Sequence, residues 1–86
     1  METITIVAEA TLFNDVVFDE EIEYAITGEH AFDEIRADLV DQINGDLEIE
    51  YIAVDTLVAD WHAELEIYDE NRVLVGDGRI YAWGMP

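Results

Sequence analysis

The sequence predicts a two-layer α+β domain, one helix packed on a mainly antiparallel five-stranded sheet in the order ββαβββ. Three observations carry this. Apolar and polar residues alternate with period two over most of the chain, as in strands with one face in a core. One segment, residues 31–44, switches to helical spacing. The chain has 86 residues, 51 % of them hydrophobic, which suits a single domain (residues 1–86) with one core. One amphipathic helix covers one face of such a sheet and leaves the other to solvent.

The first strand is expected from Thr3 to Phe13. Ile4, Ile6, Ala8, Ala10 and Leu12 share one face, and Thr3, Thr5, Val7, Glu9 and Thr11 the other. Asn14-Asp15 reads as the turn, since short polar side chains bond their own backbone there. A second strand spans Val16 to Thr27, with Val16, Phe18, Ile22, Tyr24 and Ile26 opposite Asp19, Glu21 and Glu23. Glu20 breaks the apolar parity and marks a bulge or an edge.

Gly28 ends that strand. In the helix, Phe32, Ile35, Leu39 and Ile43 form the apolar stripe, and Asp33, Glu34, Asp38 and Asp41 lie opposite. Asp33 and Glu34 in the first turn favour the helix dipole, and Asp41 near the end opposes it. Gly45 stands where a C-terminal cap is expected.

Three further strands follow. In residues 47–54, Leu47, Ile49, Tyr51 and Ala53 alternate with Glu48, Glu50, Ile52 and Val54; Asp55-Thr56 reads as a turn. Leu57 to Tyr68 alternates without a break. Leu57, Ala59, Trp61, Ala63, Leu65 and Ile67 face inward, and Val58, Asp60, His62, Glu64, Glu66 and Tyr68 face outward. Asp69 to Arg72 is a hairpin loop, and Val73 to Trp83 is the last strand, kinked or bulged at Gly76-Asp77-Gly78.

The charge is extreme. There are 22 Asp and Glu against three arginines and no lysine, a formal charge of -19. Like charges at this density oppose the compact state, so the expected reward lies outside the fold: a basic partner, a very salty solvent or bound cations. The hydrophobic content and the interleaving of acids with apolar residues exclude a disordered acidic tail. Without cysteine there are no disulfides and no thiolate metal sites. No signal peptide and no apolar run of spanning length is visible, and anionic lipid would repel the chain. The expectation is a cytoplasmic protein with no membrane partner.

On the predicted sheet, Glu9, Asp19, Glu21, Glu23, Glu48, Glu50, Asp60, Glu64 and Glu66 gather on the uncovered face. Alternate strand residues stand about 6.6–6.8 Å apart, roughly the spacing of neighbouring phosphates along one nucleic-acid strand. A protein that grips phosphate with arginine accepts carboxylate in the same bidentate geometry. The candidate partner-binding residues are therefore Asp19, Glu21, Glu23, Glu48, Glu50, Asp60, Glu64 and Glu66 on the sheet, with Asp33, Glu34, Asp38 and Asp41 on the helix.

In size and charge the whole chain resembles the small acidic DNA-mimic inhibitors of phages and mobile elements, such as anti-CRISPR proteins, anti-restriction proteins and uracil-DNA glycosylase inhibitors. That class shares no motif and no single fold. The resemblance implies a non-catalytic inhibitor in a host cytoplasm. It would act as a monomer or homodimer and occlude a basic nucleic-acid-binding protein, first among them a CRISPR surveillance complex.

Such acidity also has two competing causes: haloadaptation, and an acidic adaptor that docks a basic partner without mimicry. Asp69-Glu70-Asn71 begins like a calcium loop, but Leu74 and Ile80 stand where such a loop needs Gly and Glu. The sequence points to no catalytic residue, metal or cofactor. His30 and His62 are far apart in sequence; His62 lies among Asp60 and Glu64, and His30 reads as a local hydrogen-bonding residue at the helix start. Trp61 is expected in the core, and Tyr68, Tyr81 and Trp83 on the acidic side. Arg36, Arg72 and Arg79 are expected to pair with nearby carboxylates.

Overall fold

The computed structural model describes residues 2–26, 28 and 31–83. Thr27 and His30 lie outside the described residues. The order is β1 (Thr3–Leu12), β2 (Asp15–Ala25), α1 (Ala31–Asp46), β3 (Ile52–Ala59), β4 (His62–Tyr68) and β5 (Leu74–Trp83). All pairings are antiparallel, and the strands lie side by side as β2-β1-β5-β4-β3. The expected α+β fold, one helix on a five-stranded sheet, is the fold observed.

The helix covers the face formed by Ile4, Ile6, Ala8 and Ala10 of β1, Phe18 of β2, Ala63, Leu65 and Ile67 of β4, and Ile80 of β5. It contributes Phe32, Ile35, Leu39 and Ile43 to the same core. Ile6, Leu39, Ile43, Leu65, Ile67 and Ile80 are fully enclosed, and no polar or charged residue among those described is buried. Small residues stand among the large ones on this face. Gly78 faces Ala10 across the β1–β5 pair, and Gly76 faces Leu12. A Cβ on Gly78 would overlap the Glu9 carbonyl and lie 2.9 Å from the Ala10 Cα, and one on Gly76 would overlap the Thr11 carbonyl. These glycines permit close strand approach inside a continuous strand. The bulge on β5 falls elsewhere, at Val75, where Ile67 pairs with Gly76 but Tyr68 with Leu74.

Several boundaries differ from expectation. The first turn is Phe13-Asn14, not Asn14-Asp15. Both turn residues have positive φ (52° and 67°), as a two-residue primed hairpin turn requires. The β2 bulge is at Val17, because Ala10 pairs with Phe18 and Thr11 with Val16. Glu20 pairs with Ala8 on the helix side but is exposed, because β2 is an edge strand. Gly45 is no left-handed cap; the helix runs through it to Asp46.

The largest correction concerns residues 47–68. Residues 47–51 are not a strand. Leu47 bonds back to the Ile43 carbonyl, Tyr51 N–H donates to the Glu48 carbonyl, and Ile49 projects wholly into solvent. Leu47 and Tyr51 pack on the end of the core, where Tyr51 meets Phe13 edge-on at 6.0 Å. Asp55-Thr56 is not a turn but mid-strand, and Arg36 Nη1 donates to the Asp55 carboxylate at 3.1 Å. The chain reverses instead at Asp60-Trp61, dividing the expected Leu57–Tyr68 strand between β3 and β4. Trp61 therefore sits in a turn at φ 58°, half-buried, its ring 5.3 Å from Phe32.

Two glycine substitutions check this packing in chemical denaturation. Gly78→Ala should lose about 1–3 kcal/mol, the usual cost of overpacking. Gly45→Ala has open space around it and should gain about 0.5–1 kcal/mol, because alanine replaces glycine inside a helix. Loss of stability in Gly45→Ala would mean that residue 45 ends the helix after all.

Candidate functional site: the open acidic face

The uncovered face can be read row by row from the register. One row is Glu21, Val7, Tyr81, His62; the next is Asp19, Glu9, Arg79, Glu64, Thr56; the next is Val16, Thr11, Asp77, Glu66, Val54. Glu23 lies across from Thr5 and Trp83. Five of the exposed acids thus fall into two columns, Asp19, Glu21 and Glu23 on β2 and Glu64 and Glu66 on β4, and a sixth, Asp77 on β5, lies between them. Strands β1 and β5 lie between them. Three interstrand steps of about 4.8 Å put the columns about 14 Å apart.

The strip between the columns carries its own partners. Arg79 Nε donates to Glu9 Oε2 at 3.1 Å, and the Thr11 hydroxyl donates to Asp77 Oδ1 at 2.9 Å. The Arg79 guanidinium also lies over the Tyr81 ring, 4.9 Å from its centroid. The hydrogen bond that Arg79 donates to Glu9, then the Glu9 charge, raise the Arg79 pKa above its usual value. Tyr81 meets His62 edge-on at 6.2 Å. Val7 is buried beneath this strip, and Trp83 at its end is 63 % exposed. The expected placement of Tyr81 and Trp83 beside the acids therefore holds. Tyr68 is half-buried on the same face; its hydroxyl pKa is raised, first by a hydrogen bond with Glu66 and then by desolvation.

Three expected members do not belong to the array. Asp60 is in the β3–β4 turn. Glu48 and Glu50 sit in the connection after the helix, where the chain turns tightly. The Glu50 pKa is raised from its ordinary value, first through a hydrogen bond with the neighbouring Glu48 carboxyl, then by desolvation and by the charges of Glu48 and Glu70. Strand-like spacing would have held these charges apart; the turn brings them together. Asp77 is the member that local pattern does not reveal, because Gly76-Asp77-Gly78 reads as a kink. The alternation of Asp77, Arg79 and Tyr81 on one parity was the available signal.

On the opposite side, Asp33, Glu34, Asp38 and Asp41 are all exposed along the helix. Arg36 Nη2 donates to Asp33 at 3.2 Å and Gln42 to Asp38 at 2.9 Å. The Asp69 carboxylate accepts from the Asn71 and Val73 N–H groups at 2.8 and 3.0 Å, so it shapes the β4–β5 loop. Among the described residues, no three His, Asp or Glu are grouped as metal ligands. No described helix is long and apolar enough to cross a membrane. No protein-family model, curated protein or solved structure matches the chain.

The raised Glu50 pKa has a definite sign. The folded state binds this proton more tightly than the unfolded chain does. Its stabilisation is complete below the ordinary glutamate pKa and is lost as pH rises through the raised value. Glu50→Gln should therefore flatten the stability profile across that interval, measured as thermal midpoints against pH. An unchanged profile would show that Glu48 and Glu50 do not share a proton.

Proposed function

We propose that this protein is a non-catalytic DNA mimic. It would bind a basic nucleic-acid-binding protein through the open sheet face and exclude nucleic acid from it. Linear charge density is the observation that carries the reading. With Glu29 set aside, the described residues hold 21 acids and three arginines, a net charge of -18. The body measures 43 × 21 × 20 Å. That is one net negative charge per about 2.4 Å of long axis, against about 1.7 Å along duplex DNA. A basic channel that accepts a duplex meets a rod of comparable charge.

The open face suits this role better than the helix face. Its two carboxylate columns flank a strip in which Glu9 is already paired with Arg79, so most of the uncompensated charge lies along two lines, with Asp77 between them. Two phosphate backbones likewise flank a groove, about 12 Å wide on the major side. Exposed Trp83 beside the columns offers an apolar anchor of the kind that often dominates interface energy. A CRISPR surveillance complex, whose channel binds nucleic-acid backbone, is the first target class to try; restriction enzymes and repair glycosylases follow.

Acids on both broad faces also fit haloadaptation, and salt separates the two readings. The mimic should fold in near-physiological salt, whereas a haloadapted domain needs molar salt to fold. The test is capture on the immobilised protein, with elution by salt and by added duplex DNA. The wild type should retain a nucleic-acid-binding protein that DNA releases. A variant with Asp19→Asn, Glu21→Gln and Glu23→Gln should bind that protein at least about tenfold more weakly, equivalent to about 1.4 kcal/mol. A partner indifferent to DNA, or unaffected by the three substitutions, would refute mimicry through this face.

A further inference from the structure

The two edges of the sheet are unlike. The β2 edge carries Asp15, Asp19, Glu20, Glu21 and Glu23. Two copies brought together there would set carboxylates against carboxylates. The β3 edge, Ile52–Ala59, holds one ionisable residue, Asp55, and it is ion-paired with Arg36. Ile52, Val54, Leu57 and Val58 on this strand are each 41–54 % exposed. Edge strands are normally blunted by charge, proline or cover, and most of this one is not.

The part that is covered reveals the geometry. Ala53 N–H donates to Asn44 Oδ1 at 2.8 Å, and Asn44 Nδ2 donates to the Ala53 carbonyl at 3.1 Å. The Asn44 amide thus stands in for a neighbouring strand at residue 53. Backbone groups alternate between the two edges of an antiparallel strand. The N–H and C=O of Asp55 and Leu57 therefore point the same way as those of Ala53, outward, while those of Ile52, Val54 and Thr56 point to β4. Among the described residues, no backbone hydrogen bond outside the sheet ladder reaches Asp55 or Leu57.

We propose that two copies of this chain pair through β3, antiparallel about a two-fold axis at Thr56, to form a continuous ten-stranded sheet. Asp55 of each copy then exchanges both backbone hydrogen bonds with Leu57 of the other, four bonds in all. Thr56 faces its own counterpart on the open side. Asn44 limits the pairing to this central segment, which fixes the register. The occupant is a second copy and not a foreign strand for a reason of charge. A partner attracted by the net charge is basic and is drawn to the carboxylate columns. The β3 edge, by contrast, is where two such anions meet with no unpaired charge in contact. The pairing does not depend on mimicry.

Salt dependence distinguishes this association from capture of a basic partner. Screening weakens attraction to a cation but relieves repulsion between two anions. Sedimentation velocity over micromolar to millimolar protein should show a dimer that tightens at least about tenfold between 0.05 and 0.5 M NaCl. Thr56→Glu, which sets like charges directly opposite, should abolish it, while Glu21→Gln on β2 should not. Hydrogen exchange on the unmodified protein needs no variant. Protection of the Asp55 and Leu57 amides should rise with protein concentration, while that of Thr56, already bonded within the sheet, stays constant. A monomer at 1 mM in 0.5 M NaCl, or a dimer whose Asp55 and Leu57 amides stay unprotected, would overturn the proposal.

Discussion

Mutual repulsion among the carboxylates is the constraint on which the structure depends. A formal charge of -19 on 86 residues leaves no room for a buried acid, and the described core contains none. The fold meets this by strict partition. One sheet face and one helix stripe supply a core of isoleucine, leucine, phenylalanine and alanine, and the charges lie outside it. Of the three arginines, two sit at joints. Arg36 ties the helix to β3 through Asp55, and Arg79 ties β5 to β1 through Glu9. These pairs are partly exposed, so each contributes modestly to stability. Their larger effect is on charge placement, since each removes a carboxylate from the unpaired set.

The strand order then decides where the remaining charge lies. Because β1 pairs with both β2 and β5, the acid-rich strands β2 and β4 are held apart by two strands whose outward residues are mostly neutral or paired. The same composition in simple meander order would place these acids differently. The negative surface is therefore two columns of carboxylates, with the Glu9–Arg79 pair and the exposed Asp77 carboxylate between them. The edges follow the same logic. One is blocked by its own acids, and the other holds a single acid, Asp55, which is ion-paired, and is partly capped by a single asparagine amide.

Much of the architecture was legible in the residues. The helix stripe Phe32, Ile35, Leu39 and Ile43 and the alternation in β1 and β4 each correspond to a buried face. The β3–β4 hairpin was not legible, and the reason is geometric. A two-residue turn alone would reverse the parity of the alternation. The register shift between Leu57 and Ala59 restores it, so Leu57 and Ala63 pair on one face and the odd-numbered series passes through Asp60-Trp61 without a break. Val17 does the same after the Phe13-Asn14 turn. Periodicity reports faces; it does not report where a chain reverses when a bulge keeps the phase.

The sequence by itself determined the class of fold, most of the core residues and the sign and density of the charge, because these follow from local periodicity and composition; Val16, Ile49, Leu57 and Ala59, expected inward, are exposed. It also placed Asp19, Glu21, Glu23, Glu64 and Glu66 outward. Tertiary structure decided which carboxylates stand together. Glu48 and Glu50 left the array because residues 47–51 turn at the end of the core, where Leu47 and Tyr51 pack, and form no strand. Asp77 joined it because Gly76 and Gly78 let β5 run straight beside β1. The two columns exist only because β5 inserts between β1 and β4, a pairing between residues some 70 positions apart that no local pattern encodes.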